Sequence, residues 1–468
     1  MTERFEVAVL GGGPGGYVAA LRAAQLGARA VVIEKGRVGG TCLNTGCIPT
    51  KALTTSTELL LKARRAHEFG VAIPTAAADL PALMEYTQGT VDSLVGGVEH
   101  LLKKAGVTLL RGTGHLAAPT TIAVQREAGD AVSVEARQVI LAPGSITARP
   151  PIPGLDLPGV MTSTEALDIP DVPAHLVVVG GGVIGLEFAC IYEALGSKVT
   201  ILELMPTLLP GATDETIALR LALFLRRRGM SVMTGAQVEE IVPSGSGLAV
   251  SYRDANGVLS LVDGDRVLAA MGRWPNTDGL GLADVGVKMN GRAIAVDEHL
   301  ATSVPDVWAV GDAVGGMMLA HKAMVDGRVA AENACGGSRA VDYRSLANVV
   351  FTRPEVASVG LTEAQARQRG ADVKVAQFPF SANPRARILG ETDGLVKLVC
   401  DAGSGAVLGV HILGPHATDL IAEGALAVQL GATADDLAWT THAHPTLPEA
   451  MLEAALGFRD ATIHFRAR

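Results

Sequence analysis

Aromatic side chains are scarce in this sequence: they make up 4% of its 468 residues. The interior must therefore be built from Ala, Val, Leu and Ile. Hydrophobic residues at 48% and charged residues at 19% are typical of a well-buried globular protein, and they argue against disorder. A chain of this length exceeds what one compact core holds, so we expect two to four domains.

The sequence also lacks a basic run and an uninterrupted apolar span. Its net charge of −9 argues against nucleic acid as the main partner. Glu3 and Glu6 stand where a signal peptide would carry basic residues. The longest apolar stretch, 175–196, is broken by several glycines and by Glu187, which favours a strand–turn–helix over a membrane span. These features predict a cytoplasmic protein without a membrane segment.

Cysteine is rare as well, with five residues in the chain. An odd and sparse count excludes a scaffold of disulfides. Cys190, Cys335 and Cys400 are isolated, and each is most simply a small apolar residue. Only Cys42 and Cys47 lie close together, in the segment GGTCLNTGCIPTK.

An internal repeat stands out against these absences. The stretch 7–34 reads VAVLGGGPGGYVAALRAAQLGARAVVIE, and the stretch 176–203 reads LVVVGGGVIGLEFACIYEALGSKVTILE. Each copy has an apolar strand, a G-x-G-x-x-G turn, an Ala-rich helix, a glycine stop and a second strand that ends in an acid. A constant offset aligns Gly11 with Gly180, Gly16 with Gly185, Gly27 with Gly196, and Glu34 with Glu203.

This order of residues is the one that a dinucleotide site requires. The first glycine permits a tight turn, the second lets the backbone approach a pyrophosphate, and the third brings helix and strand together. The acid can accept hydrogen bonds from a ribose. Two sites are therefore predicted, the first with Gly11, Gly13, Gly16 and Glu34, and the second with Gly180, Gly182, Gly185 and Glu203.

Glu203 also bears on the choice of cofactor at the second site. Its carboxylate would repel the 2′-phosphate of NADP, and the following MPTLLPG offers no arginine to neutralise one. NAD is therefore favoured. Two dinucleotides in one chain suggest that electrons pass from one to the other.

Three kinds of site compete for the Cys42/Cys47 pair. Zinc needs about four ligands, and no other Cys or His lies nearby in the sequence. A static disulfide would be unusual in a reducing compartment. A redox-active dithiol fits best, because the field of a helix start and a cation such as Lys51 can stabilise one thiolate.

The rest of the chain is predicted in outline. Residues 59–104 look largely helical, and 107–141 look like short strands and turns. The proline-rich RPPIPG marks a crossing between domains, and LAAMGRWPNT, centred on Gly272, marks the return. Residues 306–312 form a buried strand, and a separate C-terminal domain begins near 348.

Seven segments together resemble one family. GGGPGGYVAA, GGTCLNTGCIPTK, GGGVIGLEF, MGRWPNT, VGD, MLAHKA and HAHPTLPE follow one another along essentially the whole chain. They resemble the pyridine nucleotide–disulfide oxidoreductase family, in its dihydrolipoamide dehydrogenase branch. The resemblance implies an α/β fold with two Rossmann-like dinucleotide-binding domains and an α+β C-terminal dimerisation domain. The expected domains are FAD-binding (1–147 and 269–345), NAD-binding (148–268) and C-terminal (346–468).

The resemblance also implies which residues bind the two cofactors, and it implies no metal. Glu34 would bind the FAD ribose, Lys51 would lie near the reactive edge of the flavin, and Glu187 would pair with Lys51 beside the nicotinamide. The implied FAD contacts are Gly11, Gly13, Gly16, Glu34, Thr41, Cys42, Lys51, Gly114, Ser145, Asp312, Met318, Leu319, Ala320 and His321. The implied NAD contacts are Gly180, Gly182, Gly185, Glu187, Glu203, Val238 and Gly272. If 318–321 opens a helix, its N-terminal field would stabilise an anionic reduced flavin.

HAHPTLPE resembles the acid–base segment of the family. There, His444 would deprotonate the substrate thiol and Glu449 would orient it, while His442 would be structural. In the family this segment comes from the other subunit, which implies a homodimer. Two residues depart from the family pattern: Pro143 stands in place of a threonine, and Pro448 in place of a serine.

The implied reaction oxidises protein-bound dihydrolipoamide and reduces NAD⁺ to NADH. Cys42 would meet the substrate and Cys47 the flavin. Implied partners are the lipoyl domains and acyltransferase core of 2-oxoacid dehydrogenase complexes, or the lipoyl carrier of glycine cleavage. Four enzyme classes on the same scaffold are disfavoured. Glutathione-type reductases would need arginines near Glu203, and mercuric reductases an extra cysteine pair after Cys400. Soluble transhydrogenases lack the paired cysteines, and NADH oxidases typically use a single redox cysteine. A non-catalytic flavoprotein that serves in assembly is the alternative of a different class.

Overall fold

The first part of the chain forms a sheet flanked by helices. The computed structural model describes residues 2–126 and 129–465. The strands of this part are β1 (Thr2–Leu10), β2 (Ala30–Glu34), β3 (Thr108–Arg111), β4 (Thr113–Ala118), β5 (Thr121–Gln125), β6 (Ala131–Leu141) and β7 (Ser145–Thr147). Its helices are α1 (Pro14–Gln25), α2 (Gly40–Thr45), α3 (Cys47–Arg64) and α4 (Leu80–Lys104). The sheet order is β3-β2-β1-β6-β5-β4, parallel from β3 to β6 and antiparallel beyond.

Helix α1 shows why the first repeat folds as predicted. It begins at Pro14, whose fixed φ suits the first helical position and whose missing N–H is not needed there. Its buried face carries Ala19, Ala20 and Ala23, which are small enough for close packing. The predicted helical stretch 59–104 is in fact two helices, since a 3-10 turn and an irregular segment separate α3 from α4.

The second repeat forms a second sheet with the same local order. Its strands are β8 (Val160–Met161), β9 (His175–Val179), β10 (Lys198–Glu203), β11 (Ser231–Thr234), β12 (Gln237–Ser244), β13 (Gly247–Arg253), β14 (Leu259–Gly264) and β15 (Arg266–Ala269). Its helices are α5 (Val183–Leu195) and α6 (Glu215–Arg227). A parallel sheet runs β11-β10-β9-β15-β8, and β12, β13 and β14 form an antiparallel sheet beside it.

The chain then returns to the first sheet. This part contains β16 (Arg273–Pro275), β17 (Met289–Asn290), β18 (Ala293–Ile294), β19 (Val307–Ala309) and α7 (Ala320–Ala334). Strand β16 pairs antiparallel with β7, so the outward and return crossings lie side by side. Strand β19 pairs parallel with β6 and so joins the first sheet. The strand predicted at 306–312 is present but shorter, because a 3-10 turn begins at Gly311.

The C-terminal part is built on an antiparallel sheet. Its strands are β20 (Asn348–Val350), β21 (Glu355–Gly360), β22 (Val373–Pro379), β23 (Leu395–Asp401) and β24 (Val407–Gly414), in the order β20-β21-β24-β23-β22. Its helices are α8 (Glu363–Gln368), α9 (Pro384–Leu389), α10 (Ala417–Leu430), α11 (Ala434–Trp439) and α12 (Glu449–Gly457). The predicted fold class, α/β followed by α+β, is confirmed. Within 2–126 and 129–465, no helix is long and apolar enough to cross a membrane.

Candidate active site

A cavity of about 1750 Å³ connects the two glycine-rich turns. Its lining includes Gly11 and Gly13 of the first turn, Gly180 and Gly182 of the second, and both residues of the cysteine pair. A typical pocket for one small ligand measures about 300–1,000 Å³. The larger volume therefore fits two dinucleotides.

The first turn is shaped for a dinucleotide by its glycines and by Glu34. A Cβ on Gly11 would lie 2.2 Å from the carbonyl oxygen of Ala142, and Gly11 has a φ of +106°. The Glu34 carboxylate accepts hydrogen bonds from the amides of Gly12 and Gly36, each at 2.7 Å. Among the described residues, no side chain caps the start of α1, so its first N–H groups remain available to a pyrophosphate. These features fit FAD.

The second turn repeats this geometry. Gly180 has a φ of +112°, and a Cβ on it would lie 2.2 Å from the carbonyl oxygen of Ala270. The buried Glu203 carboxylate accepts hydrogen bonds from Gly181 N at 2.5 Å and from Met205 N at 2.7 Å. The cavity wall beyond Glu203 continues with Leu204 and Met205, and neither could neutralise a 2′-phosphate. The site therefore fits NAD, as the sequence predicts.

Cys42 and Cys47 lie at the junction of α2 and α3, and both thiols are free. A hydrogen bond from the Cys42 thiol lowers the pKa of Cys47 to about 7, and the charge of Lys51 acts in the same direction against burial. The same hydrogen bond, together with burial, raises the pKa of Cys42. Cys47 is also the first residue of α3, where the helix dipole favours an anion. The hydrogen bond, Lys51 and the helix start all favour Cys47 as the thiolate of the pair.

Lys51 lies one turn after Cys47 on α3 and forms an ion pair with Glu187 of α5. The Lys51 Nζ atom is 2.8 Å from both carboxylate oxygens of Glu187. Glu187 is buried, and it also accepts a hydrogen bond from the backbone amide of Phe351 at 3.0 Å. The sequence predicts the ion pair, whereas none of its motifs points to Phe351.

A polar network connects Asp312 to the two domain crossings. Ser145 Oγ donates to Asp312 Oδ2 at 2.5 Å, and Arg273 Nε donates to Ser145 Oγ at 2.7 Å. Arg273 also reaches Thr41 Oγ1 at 3.4 Å. Burial lowers the pKa of Arg273, while the charges of Asp312 and Cys47 oppose this change. Sequence reasoning missed Arg273, although it directly follows the predicted Gly272 in MGRWPNT.

The other predicted cofactor residues divide into two groups. Those that line the cavity are Thr41, Gly114, Val238, Gly272, Met318, Leu319, Ala320 and His321. Gly16 and Gly185 instead pack inside their turns, because a Cβ on either would lie within 2.0 Å of the carbonyl oxygen of the first glycine. Helix α7 begins at Ala320, so 318–321 does open a helix. Pro143, the first departure from the family pattern, also lines the cavity.

His444 and Glu449 form a pair that lies away from the cavity of their own chain. His444 Nδ1 is 2.8 Å from Glu449 Oε1, and the His444 side chain is 69% exposed. Burial raises the pKa of Glu449, but hydrogen bonds from the Thr446 amide and from His444 outweigh this and hold the pKa low. His442 has a buried side chain that contacts Glu423 and the Thr440 carbonyl, as expected of a structural residue. Pro448, the second departure, directly precedes α12.

Comparisons with known proteins agree with this geometry. Residues 5–327 match the pyridine nucleotide-disulphide oxidoreductase family, and 346–455 match its dimerisation domain, which supports a homodimer. The chain is 43% identical to dihydrolipoyl dehydrogenase of Geobacillus stearothermophilus over 96% of this chain and 95% of the relative. It is also 43% identical to that of Thermus scotoductus, with both chains covered in full.

Solved structures with similar folds include two that match nearly the whole length of the chain. LpdA from Mycobacterium tuberculosis is 31% identical, with a TM-score of 0.88 over 97% of this chain and 98% of that one. The Cu(II) complex of the HOCl-induced flavoprotein disulfide reductase RclA from Escherichia coli is 30% identical, with a TM-score of 0.86 over 97% and 99%. With two glycine-rich turns, a cysteine pair between them and matches along nearly its whole length, the chain belongs to the pyridine nucleotide-disulphide oxidoreductase family.

Proposed function

We propose that this enzyme oxidises protein-bound dihydrolipoamide to lipoamide and reduces NAD⁺ to NADH. Its family uses FAD and NAD, and the chain offers one glycine-rich turn to each. The observation that carries the proposal is the position of Cys42 and Cys47 on the wall of one cavity that reaches both turns. Relatives at 43% identity bear the name dihydrolipoyl dehydrogenase, which supports the choice of substrate.

The cysteine pair would carry out two thiol–disulfide exchanges. A thiolate of the substrate attacks Cys42 Sγ in the oxidised pair, the Cys42–Cys47 bond breaks, and Cys47 leaves as a thiolate. The second substrate thiolate then attacks the sulfur bound to Cys42, which releases cyclic lipoamide and leaves Cys42 reduced. A low pKa makes Cys47 a good leaving group in the first exchange. Bound FAD supplies the two-electron redox chemistry between the dithiol and NAD⁺.

His444 would remove the proton from the substrate thiol. The ionised Glu449 accepts a hydrogen bond from Nδ1–H of His444, so Nε2 is left as the proton acceptor. Since this pair does not line the cavity of its own chain, we infer that it acts on the cysteine pair of a second copy. The match to a dimerisation domain at 346–455 supports this arrangement.

The proposed partners are proteins that carry lipoyl groups. They are the lipoyl domains and acyltransferase core of 2-oxoacid dehydrogenase complexes, or the lipoyl carrier of glycine cleavage. The proposal follows from the substrate, because protein-bound dihydrolipoamide is carried on such domains.

A cysteine substitution tests the proposed function. C47S should abolish NADH-dependent lipoamide reduction while FAD stays bound, because a serine cannot form the disulfide with Cys42 on which the exchange depends in either direction. C335S is the matched control, since Cys335 is outside the cavity lining, and it should keep full activity. Each enzyme is assayed with NADH and NADPH against lipoamide and glutathione disulfide. Full lipoamide activity in C47S, or faster reduction of glutathione disulfide by the unsubstituted enzyme, would contradict the proposal.

A further inference from the structure

Phe351 lies where three parts of the chain meet. It directly follows β20 of the C-terminal part, and it lines the cavity between Lys51 on α3 and Glu187 on α5. The Lys51 Nζ atom is 4.7 Å from the centroid of the Phe351 ring, and the Phe351 amide donates to Glu187 Oε1 at 3.0 Å. One residue therefore contacts both members of the ion pair beside Cys47.

These contacts restrict where the Lys51 ammonium can lie. Glu187 binds it through both carboxylate oxygens at 2.8 Å, while the aromatic face lies against another side. An ammonium over an aromatic face is attracted by the ring quadrupole, most strongly where water is excluded. Lys51 is 29% exposed, so without the ring its side chain would have solvent into which it could turn.

Core packing does not account for the position of this ring. The preceding residue, Val350, is buried in the hydrophobic core, whereas Phe351 is half-buried and faces the cavity. Strand alternation places neighbouring side chains on opposite sides, so a residue after Val350 is directed toward the site. The aromatic ring therefore packs against the Lys51 ammonium rather than into the core.

We infer that Phe351 is a positioning residue for the cysteine pair: its ring and its amide hold Lys51 and Glu187 where Lys51 acts on Cys47. The inference deepens the proposed function and rests on it only for the redox role of Cys47. The charged and titratable groups that face Cys47 are Cys42, Lys51, Glu187 and Arg273. Two of these groups are cations: Lys51 lowers the pKa of Cys47, in addition to the hydrogen bond from Cys42, and the Cys47 thiolate in turn favours the charged form of Arg273.

The test measures the acidity of Cys47 directly. In FAD-loaded protein that carries C42S, Cys47 is alkylated with iodoacetamide across a pH series, and its modification is followed by mass spectrometry. F351L keeps an apolar side chain but removes the ring, and it should shift the alkylation profile upward by about half a pH unit, a roughly threefold loss of thiolate below the pKa. F351Y keeps the ring and should leave the profile in place.

Two further variants make the result decisive. F69L changes an exposed phenylalanine outside the cavity and should shift nothing. F351M replaces F351L if the latter fails to fold, and it should give the same upward shift. An unchanged profile in F351L or F351M would overturn the inference. Because alkylation needs no lipoamide, the two proposals fail separately. If the unsubstituted enzyme did not reduce lipoamide, the proposed substrate would be overturned, while an upward shift in F351L would leave the role of Phe351 standing.

Discussion

Two lysines join different parts of this molecule, and they do so in different surroundings. Lys51 pairs with Glu187 on the cavity wall and is 29% exposed. Lys397 on β23 is only 2% exposed and contacts Asp214 at 2.7 Å, at the start of α6 in the second repeat. It also contacts Glu363 Oε2 at 2.9 Å and Thr216 Oγ1 at 3.0 Å.

The difference lies in what each ammonium has left to bind. Lys397 donates to three oxygens, two of them from carboxylates, so its hydrogen-bonding capacity and its charge are both satisfied. Lys51 has one carboxylate and one aromatic face, and its charge still acts on Cys47. A lysine–carboxylate pair that is fully buried therefore connects two parts of the fold. A similar pair on a cavity wall instead changes the pKa of a reactive side chain.

The largest expected effect is on stability, from K397M. Removing the lysine leaves Asp214 buried without its cation, and breaking a buried pair in this way costs about 3–5 kcal/mol. Urea unfolding should show this loss. Lipoamide turnover without denaturant should stay close to that of the unsubstituted enzyme, because Lys397 does not line the cavity.

K374M is the matched control for this prediction. Lys374 pairs with Asp460 at the surface, where its side chain is 39% exposed and that of Asp460 is 84% exposed. Exposed pairs contribute about 0–1 kcal/mol, so the control should unfold at nearly the same urea concentration as the unsubstituted protein. If K397M and K374M lost the same free energy of unfolding, the buried pair of Lys397 would contribute no more to stability than an exposed pair.

The second effect is on turnover, from K51M. Loss of a preorganised charge at a reactive centre lowers rates by about 10²–10³, and here it also removes a cation that favours the Cys47 thiolate. NADH-dependent lipoamide reduction should fall by roughly a hundredfold or more, with a smaller change in urea unfolding than in K397M. K51R, which keeps the charge, should recover part of the activity. Turnover in K51M close to that of the unsubstituted enzyme would remove Lys51 from the mechanism.

The two lysines also mark what can be predicted from the sequence. Lys51 is predicted because it follows CLNTGCIPT by local spacing, and both dinucleotide turns are predicted because each motif is continuous in the chain. Lys397 contacts Asp214, which lies far from it in the sequence. Its strand reads LVKLVCD, and a lysine in such a strand is usually directed to solvent. Only the packing of the second repeat against the C-terminal sheet shows that this lysine is buried.

Arg273 and Phe351 escape prediction for the same physical reason. Arg273 is held by Ser145 and reaches Thr41, and these residues come from three separate stretches of the chain. Phe351 acts through a ring-to-ammonium contact with Lys51, which lies far earlier in the chain. Local periodicity carries no information on such contacts. The His444–Glu449 pair is predicted because its two members are close in the sequence.

The smallest expected effect is the pH dependence contributed by His411, which pairs with Lys397 across β23 and β24. Burial lowers the pKa of His411 to about 4, although the charge of Asp214 opposes this. Its Nε2–H donates to the Leu361 carbonyl at 3.1 Å, which selects one tautomer of the neutral ring. Between about pH 6.5 and 4 the unfolded chain binds a proton that the folded protein does not, so stability present above pH 6.5 falls as the pH decreases.

The variant H411Q should remove this contribution. One group of this kind changes the free energy of unfolding by at most about 1.4 kcal/mol per pH unit. We therefore expect the unsubstituted protein to lose more stability than H411Q when urea unfolding is compared at about pH 7.5, 6 and 5, on either side of the ordinary histidine pKa. Carboxylates titrate in both proteins, so their contribution cancels when the two free energies of unfolding are subtracted. Parallel pH dependences would show that burial does not lower the pKa of His411 in the folded protein. The alkylation profile of Cys47 should be unchanged in H411Q, because His411 does not border the cavity.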